Sequence, residues 1–450
     1  MEMLVRLLGE EKFRDGIREY LSSFGYANAT WEDLIDILDG YSDMDLKEWS
    51  RSWVCEGGMP VIEHRIEDGE IVITQSDPTG KSVLRSQEIT YLVNENPCTV
   101  FLEGKCARLP LPQGCMECDD ITVIPNSDAR GYGFFKIEGS KGVDDLWKSL
   151  KIHNTKSDAD EVLRASVLMT LYENVRSGDI QPSSFVLNLL KHIEREENEI
   201  LFNLALKYLS ESCRCYYDLS GEFIGEVEAS LWKMVSRHKN RKFRLLAFRS
   251  YISVAYTETA MERLYIIWNS QKAHAGCTLG ERDYTAISYK LAIFFEDNSK
   301  MILDKQRSRI SNPDRIREFD FVSRGASSSI QQRRALFESL LLPENRVVEP
   351  WVGSALSLLN HPLRQKEALE FIRPALSIIE EIQKTGDIFF PTLWLKSLLG
   401  GHTSAQAYKI VSDFLERNNT LSEKLRNKIL HQSFHLKRFS AASGEGQVSR

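Results

Sequence analysis

Nowhere in these 450 residues is there an apolar run long enough to span a bilayer, so a transmembrane helix is not expected. The opening "MEMLVRLLGEEKF" lacks the basic, apolar, small-residue order of a secretory leader. Cysteine is scarce. Eight in a chain this long do not build a disulfide scaffold, and without an export signal they are expected to be reduced thiols. Positive charge is not in excess either. Lys and Arg total 57 against 64 Asp and Glu, a formal net charge of -7, which argues against a broad nucleic-acid-binding surface. These absences predict a cytoplasmic protein with neither a membrane nor a nucleic acid as partner. What is present, 42% hydrophobic and 27% charged residues, is the balance of a globular chain. The length calls for two or three domains rather than one core.

Three segments follow one another. In residues 1–57, "EEKFRDGIREYLSSFG" puts Phe13, Ile17 and Leu21 on one helical stripe, with Tyr20 and Phe24 beside them and Gly25 as a left-handed stop. "TWEDLIDILDG" offers Thr30 as N-cap with Asp33 at N3, a buried face of Trp31, Leu34, Ile35 and Leu38, and Gly40 as its end. "SDMDLKEWSRSW" places Leu46, Trp49 and Trp53 on a third stripe, with Ser42 or Asp43 as cap. These helices are too few to bury their own apolar faces and read as the end of a larger helical domain.

Residues 58–140 switch to strands. Gly57, Gly58 and Pro60 release the chain from helix. "VIEHRIEDGEIVITQSD" is a hairpin around Asp68-Gly69, in which Ile66 should face Ile71 and His64 should face Ile73. Ile62, Ile66, Ile71 and Ile73 would then line one face, and Glu63, Arg65, Glu67 and Glu70 the other. "SQEITYLVNE", "CTVFLEG", "ITVIPN" and "GYGFFKIE" continue the pattern, predicting a small antiparallel β-sandwich of roughly 80 residues. From 141 to 438 the apolar period is helical, in a succession of amphipathic stretches with short loops. A helix pair roughly every 35 to 45 residues is the rhythm of an α-solenoid of the HEAT or armadillo kind. Residues 439–450 have nothing to bury and are expected to be disordered.

Few side chains suggest chemistry. Cys98, Cys106, Cys115 and Cys118 could ligate zinc, but their spacings are irregular and no second C-x-x-C exists, so ordinary thiols are the better reading. Cys213 and Cys215 fit a helix end. His64, among isoleucines, reads as a packing residue, and Asp43, Asp45 and Glu48 as helix-start charges. In "NPDRIREF", Asn312 and Pro313 read as a cap and first helical residue. Arg315 and Arg317 then sit near a helix start, where positive charge is locally unfavourable. The residues alone fit a solvated basic turn as well as a site.

The front block "LLGEEKFRDGIREYLSSFGYANATWEDLIDIL", followed by "DLKEWSRSWVCEGGMPVIE", resembles the aminopeptidase N family of zinc aminopeptidases. Leu8-Gly9-Glu10, Phe13, Gly16, Tyr20, Asn28-Ala29-Thr30, Asp33-Leu34, Trp49, Trp53, Gly58 and Pro60 carry the likeness. "IPNSDARGYGFFKIE" resembles the exit of the family's sandwich. The resemblance implies the rear part of such an enzyme: the helical end of a catalytic domain, a β-sandwich, then a helical superhelix. The family's His-Glu-x-x-His zinc motif is absent, because none of the nine histidines is followed by Glu. No catalytic or metal residue is therefore carried over, no cofactor is expected in this chain, and zinc is expected only in a catalytic half that it lacks. "NP.R.R" resembles a stretch of bacterial members whose rear domain offers basic residues to the far end of the peptide. That implies substrate-binding roles for Arg315 and Arg317. The expected partners are peptides and the missing catalytic portion. Three readings remain: an enzyme piece that closes the chamber and binds peptide, a non-catalytic peptide- or protein-binding module, or a structural remnant that pairs with another chain.

Overall fold

The computed structural model describes residues 1–115, 120–152, 157–216 and 221–445, and its fold is mainly helical with a small two-sheet region. Four helices fill the front: Glu2–Leu8, Glu10–Ser23, Trp31–Asp39 and Leu46–Ser50, the last widening into a π turn at Arg51–Cys55. Thr30 caps as its sequence requires. Its hydroxyl accepts from the Asp33 amide at 3.2 Å while the Asp33 carboxylate accepts from the Thr30 amide at 2.8 Å. Leu34, Ile35, Leu38, Leu46 and Trp49 are buried together with Leu4 and Leu8.

Three local expectations are corrected. Gly25 is not the left-handed residue; Tyr26 is, at φ 62°. Asp45, not Ser42 or Asp43, caps the fourth helix by accepting from the Glu48 amide at 2.8 Å. Leu21 is 64% exposed. The second helix approaches its neighbour through Gly16, where a Cβ would stand 2.6 Å from Leu38 Cδ2.

The strands are β1 (Val61–Glu67), β2 (Glu70–Ser76), β3 (Gln87–Val93), β4 (Asn96–Leu102), β5 (Cys106–Pro110), β6 (Val123–Ile124) and β7 (Phe134–Phe135). They form one sheet in the order β5-β2-β1-β7 and another in the order β4-β3-β6. Asp68 and Gly69 take positive φ, 49° and 79°, as a two-residue hairpin turn demands. The register pairs Ile66 with Ile71 and His64 with Ile73. Ile66 stands beside the hairpin turn and is 43% exposed, so Ile62, Ile71 and Ile73 reach the core and Ile66 does not. Side chains of both sheets, among them Ile73, Tyr91, Leu102 and Phe135, share that core. The pairing is antiparallel except between β1 and β7, which run parallel.

By its contacts the chain divides into two compact units, Met1–Leu201 and Phe202–Arg450. The first contains the front helices, the sandwich and three helices that follow, Gly139–Ile152, Asp158–Ser177 and Pro182–Ile193. The middle one of these is fastened to the sandwich by Asn174, whose amide donates to the Phe135 carbonyl at 2.8 Å and accepts from the Ile137 amide at 2.9 Å. The second unit is helical throughout its described length. Its sequence neighbours pack on one another, as do Glu222–Arg237 with Arg241–Val254 and Glu281–Phe294 with Ser299–Arg307. Trp394, on the helix Phe390–Leu399 that the apolar period did not single out, is fully buried in its core.

Hydrogen bonds recur in this unit between residues one helix pair apart. Arg249 reaches Asp283 across 34 positions, Trp268 reaches Gln306 across 38, and Gln365 receives Thr403 across 38. His402 and Asn360 pair across 42. The last helix runs Glu423–Glu445, and the remainder of the expected disordered tail lies outside the described residues.

Candidate functional site

The Asn312 carboxamide accepts from the amides of Asp314 at 2.9 Å and Arg315 at 3.2 Å, which starts the helix Pro313–Val322 with Pro313 in the first position. That start sends the two arginines different ways. Arg315 lines a cleft of about 250 Å³ built by three helices of the second unit. Glu281, Arg282, Thr285 and Tyr289 come from Glu281–Phe294, Glu318 and Phe319 from the arginine's own helix, and Ser354 and Leu358 from Glu349–Leu359. Arg317 is not among the residues that line the cleft. It is 71% exposed and pairs with Asp314 one turn back.

Within the cleft the Arg315 guanidinium lies 3.3 Å from the Glu281 carboxylate, with both side chains about one third exposed. An ion pair that wet contributes well under about 1 kcal/mol. Glu281 is therefore a partner that another carboxylate can replace, and the planar guanidinium can take such a group through two parallel hydrogen bonds. The Tyr289 ring stacks on Phe319 with centroids 5.4 Å apart. Burial, helped by Glu318 and Asp320, pushes the Tyr289 hydroxyl up, so it remains a neutral donor at any physiological pH. The arrangement sets the Arg315 and Arg282 cations and the Tyr289 phenol beside the carboxylates of Glu281 and Glu318, over an aromatic and aliphatic wall. Glu281, Arg282 and Tyr289 were not visible from the sequence around Arg315, because they lie on another helix some thirty positions away.

Other candidates resolve into structure. His64 stands edge-on to Tyr91 at 5.6 Å, and burial lowers its pKa to about 4, which is the behaviour of a packing residue. Asp45 is a cap, while Asp43 and Glu48 pair with Lys12 and Arg51. Cys98 is half-buried, Cys115 buried and Cys106 exposed; Cys118 lies outside the described residues. Cys213, in the last turns of Glu199–Tyr216, is pushed up to about 12 by burial. Lys290, buried and lowered to about 7 by that burial, donates to the Ile252 carbonyl at 2.6 Å and the Ser253 carbonyl at 2.9 Å. It thus closes the end of the helix Arg241–Val254. Among the described residues, no three His, Cys, Asp or Glu side chains stand close enough to share a metal ion.

No protein-family model matches the chain. Named relatives do. A probable aminopeptidase 1 of Sulfurisphaera tokodaii is 22% identical over 400 residues, 86% of this chain and 46% of that protein. An aminopeptidase N of Lactobacillus delbrueckii is 35% identical over 98 residues, 21% of this chain and 12% of that protein. The alanine/arginine aminopeptidase of Saccharomyces cerevisiae is 26% identical over 222 residues, 47% of this chain and 24% of the yeast protein. The chain is a relative of these aminopeptidases. Over most of its length it is similar to the carboxyl-terminal part of the aminopeptidase N family, and it spans less than half the length of the relatives it matches.

Proposed function

We propose that this chain is the rear portion of a zinc-dependent aminopeptidase that removes N-terminal residues from peptides. In this reading it helps to close the chamber and binds the peptide, while hydrolysis belongs to a zinc-binding portion that it meets as a partner. The 400-residue likeness to the Sulfurisphaera tokodaii protein carries the proposal. Two features support its division of labour: no His-Glu-x-x-His occurs in the sequence, and Arg315 stands in a cleft with donors and apolar wall suited to a peptide's end. We place the protein in the cytoplasm. No described helix is long and apolar enough to cross a membrane.

Arg315 would take the peptide carboxylate in exchange for Glu281, and Arg317, at the rim of the same helix, would add longer-range attraction. In an assembly that contains the zinc-binding portion, Arg315→Ala should raise KM for short peptides about five- to tenfold and leave uncharged single-residue chromogenic substrates nearly unchanged. Arg317→Ala should do so by less than about twofold, as an exposed charge does. Equal effects of Arg315→Ala on both substrate types would remove the cleft from the proposal. The purified chain alone should hydrolyse no aminoacyl amide with zinc added; chelator-sensitive turnover would overturn the division of labour.

A further inference from the structure

The second unit carries an apolar surface that its own folding leaves uncovered. Two connections form it: residues 341–348, between the helices Ile330–Leu340 and Glu349–Leu359, and residues 386–389, between Ile379–Thr385 and Phe390–Leu399. They meet where the Glu349 carboxylate accepts from the Asp387 amide at 2.8 Å. Val347 is 81% exposed, Ile388 74% and Phe389 76%, with Leu342 and Val348 also at the surface. Apolar residues scattered singly over a surface need no explanation, but five within two adjoining loops do.

Neither loop is loose. Arg346 is buried, donates to the Leu340 carbonyl at 2.9 Å and pairs with Glu381 on Ile379–Thr385. With Arg346 turned inward, Val347 and Val348 remain outside. In the other loop the Asp387 carboxylate accepts from the Phe389 amide at 3.0 Å, and Phe390, not Phe389, takes the buried position. The apolar side chains are therefore held outward by hydrogen bonds and an ion pair rather than exposed by fraying. A partner would meet a preformed surface and lose little entropy in ordering it.

The charge around this surface narrows what can cover it. Arg346 is the sole cation of the two loops, and Glu381 already holds it. Glu344 and Asp387 are exposed and Glu349 is half-buried, and none of the three has an ion-pair partner among the described residues. Lys384, in the last turn of Ile379–Thr385, is the nearest exposed cation in sequence and leaves the set acidic. Two copies pressed together through this surface would oppose like charges, and an anionic lipid surface would be repelled in the same way. We propose that the surface docks a segment of another protein that carries apolar side chains flanked by lysine or arginine. The apolar residues would cover Val347, Ile388 and Phe389. The cations would meet Glu344, Asp387 and Glu349 at the rim, where charge steers the encounter more than it adds affinity. The inference stands apart from the aminopeptidase reading, and neither depends on the other.

The test uses the full chain and three labelled synthetic peptides of about twelve residues, one of leucine and lysine, one of leucine and glutamate, and one of serine and lysine. Fluorescence polarisation at constant ionic strength should show the leucine–lysine peptide binding saturably and more tightly than either of the others. Ile388→Ser/Phe389→Ser should weaken that binding at least about tenfold. Glu344→Lys should weaken it about threefold and strengthen the leucine–glutamate peptide. Leu21→Ser, at an exposed apolar residue of the first unit, should leave all three peptides unchanged. Should the serine pair fail to fold, Glu344→Lys decides alone. The proposal is overturned by equal binding of the serine–lysine peptide, which would mark mere attraction to an acidic chain, or by the absence of saturation. It is overturned as well if Ile388→Ser/Phe389→Ser leaves the leucine–lysine peptide bound as before. The same holds if that variant instead abolishes self-association in sedimentation or attachment to phosphatidylglycerol vesicles, results that would assign the surface to a second copy or to a lipid.

Discussion

Gly401 shows how one residue can hold a whole neighbourhood. A Cβ there would stand 1.7 Å from the Asn360 carbonyl oxygen, a backbone atom that cannot step aside. Asn360 is in turn bonded to His402 Nε2 at 2.9 Å, and both are buried. Gly401→Ala should therefore cost about 3 kcal/mol or more, at the upper end of overpacking. That corresponds to a fall in melting temperature of roughly 6 °C or more for a unit of this size, read by calorimetry. His64 makes a second residue-level prediction. Its folded pKa is about 4 against an ordinary 6.5, so between those values the unfolded chain binds the extra proton. The stability it protects is present above about pH 6.5 and is lost as pH falls toward 4. In denaturant titrations across that window His64→Leu should flatten the fall; an unchanged slope would mean the ring is not buried neutral. The packing role of His64 was legible from its isoleucine neighbours.

Elements were legible where their signals are local. The Asp68-Gly69 turn fixed a register, and Thr30 with Asp33 fixed a helix start, because turn and cap chemistry act over three or four residues. Asp45 was passed over for Ser42 and Asp43 because three cap-competent residues stand within four positions, and only tertiary packing selects one. β5 was missed as a five-residue edge strand beginning at an exposed cysteine. The helix Phe390–Leu399 was missed because Pro391 opens it and Gly400 closes it within ten residues. The parallel pairing of β1 with β7 joins residues more than seventy positions apart, beyond any periodicity. Asn312 is the element that the candidate site depends on. Asn312→Ala should cost about 1 kcal/mol through two lost acceptor contacts, and it should loosen Arg315 along with the helix start. Urea titration measures the first effect. The second would appear as faster amide exchange at Asp314 and Arg315 with little change in the helix Glu349–Leu359.

At the scale of the whole molecule, the order of helices, strands and helices was readable from the change of apolar period. The cleft around Arg315 was not, because it is assembled from three helices whose sequence separation hides their meeting. The front helices bury a small cluster and leave Leu21, at 64%, and Val54, at 55%, exposed. Hydrogen exchange on the full chain should find residues 1–55 less protected than the second unit's core helices around Trp394, whose side chains are buried on several sides. Equal protection would show that the front helices need no further cover.

The hydrogen bonds of the second unit that reach from one helix pair to the next also limit how such a chain can change in length. Removing a few residues from within a helix would carry its later donors past their acceptors, whereas a change of length in a loop leaves both partners of such a bond on their own helices. Insertions and deletions should thus be tolerated here within the loops rather than within the helices.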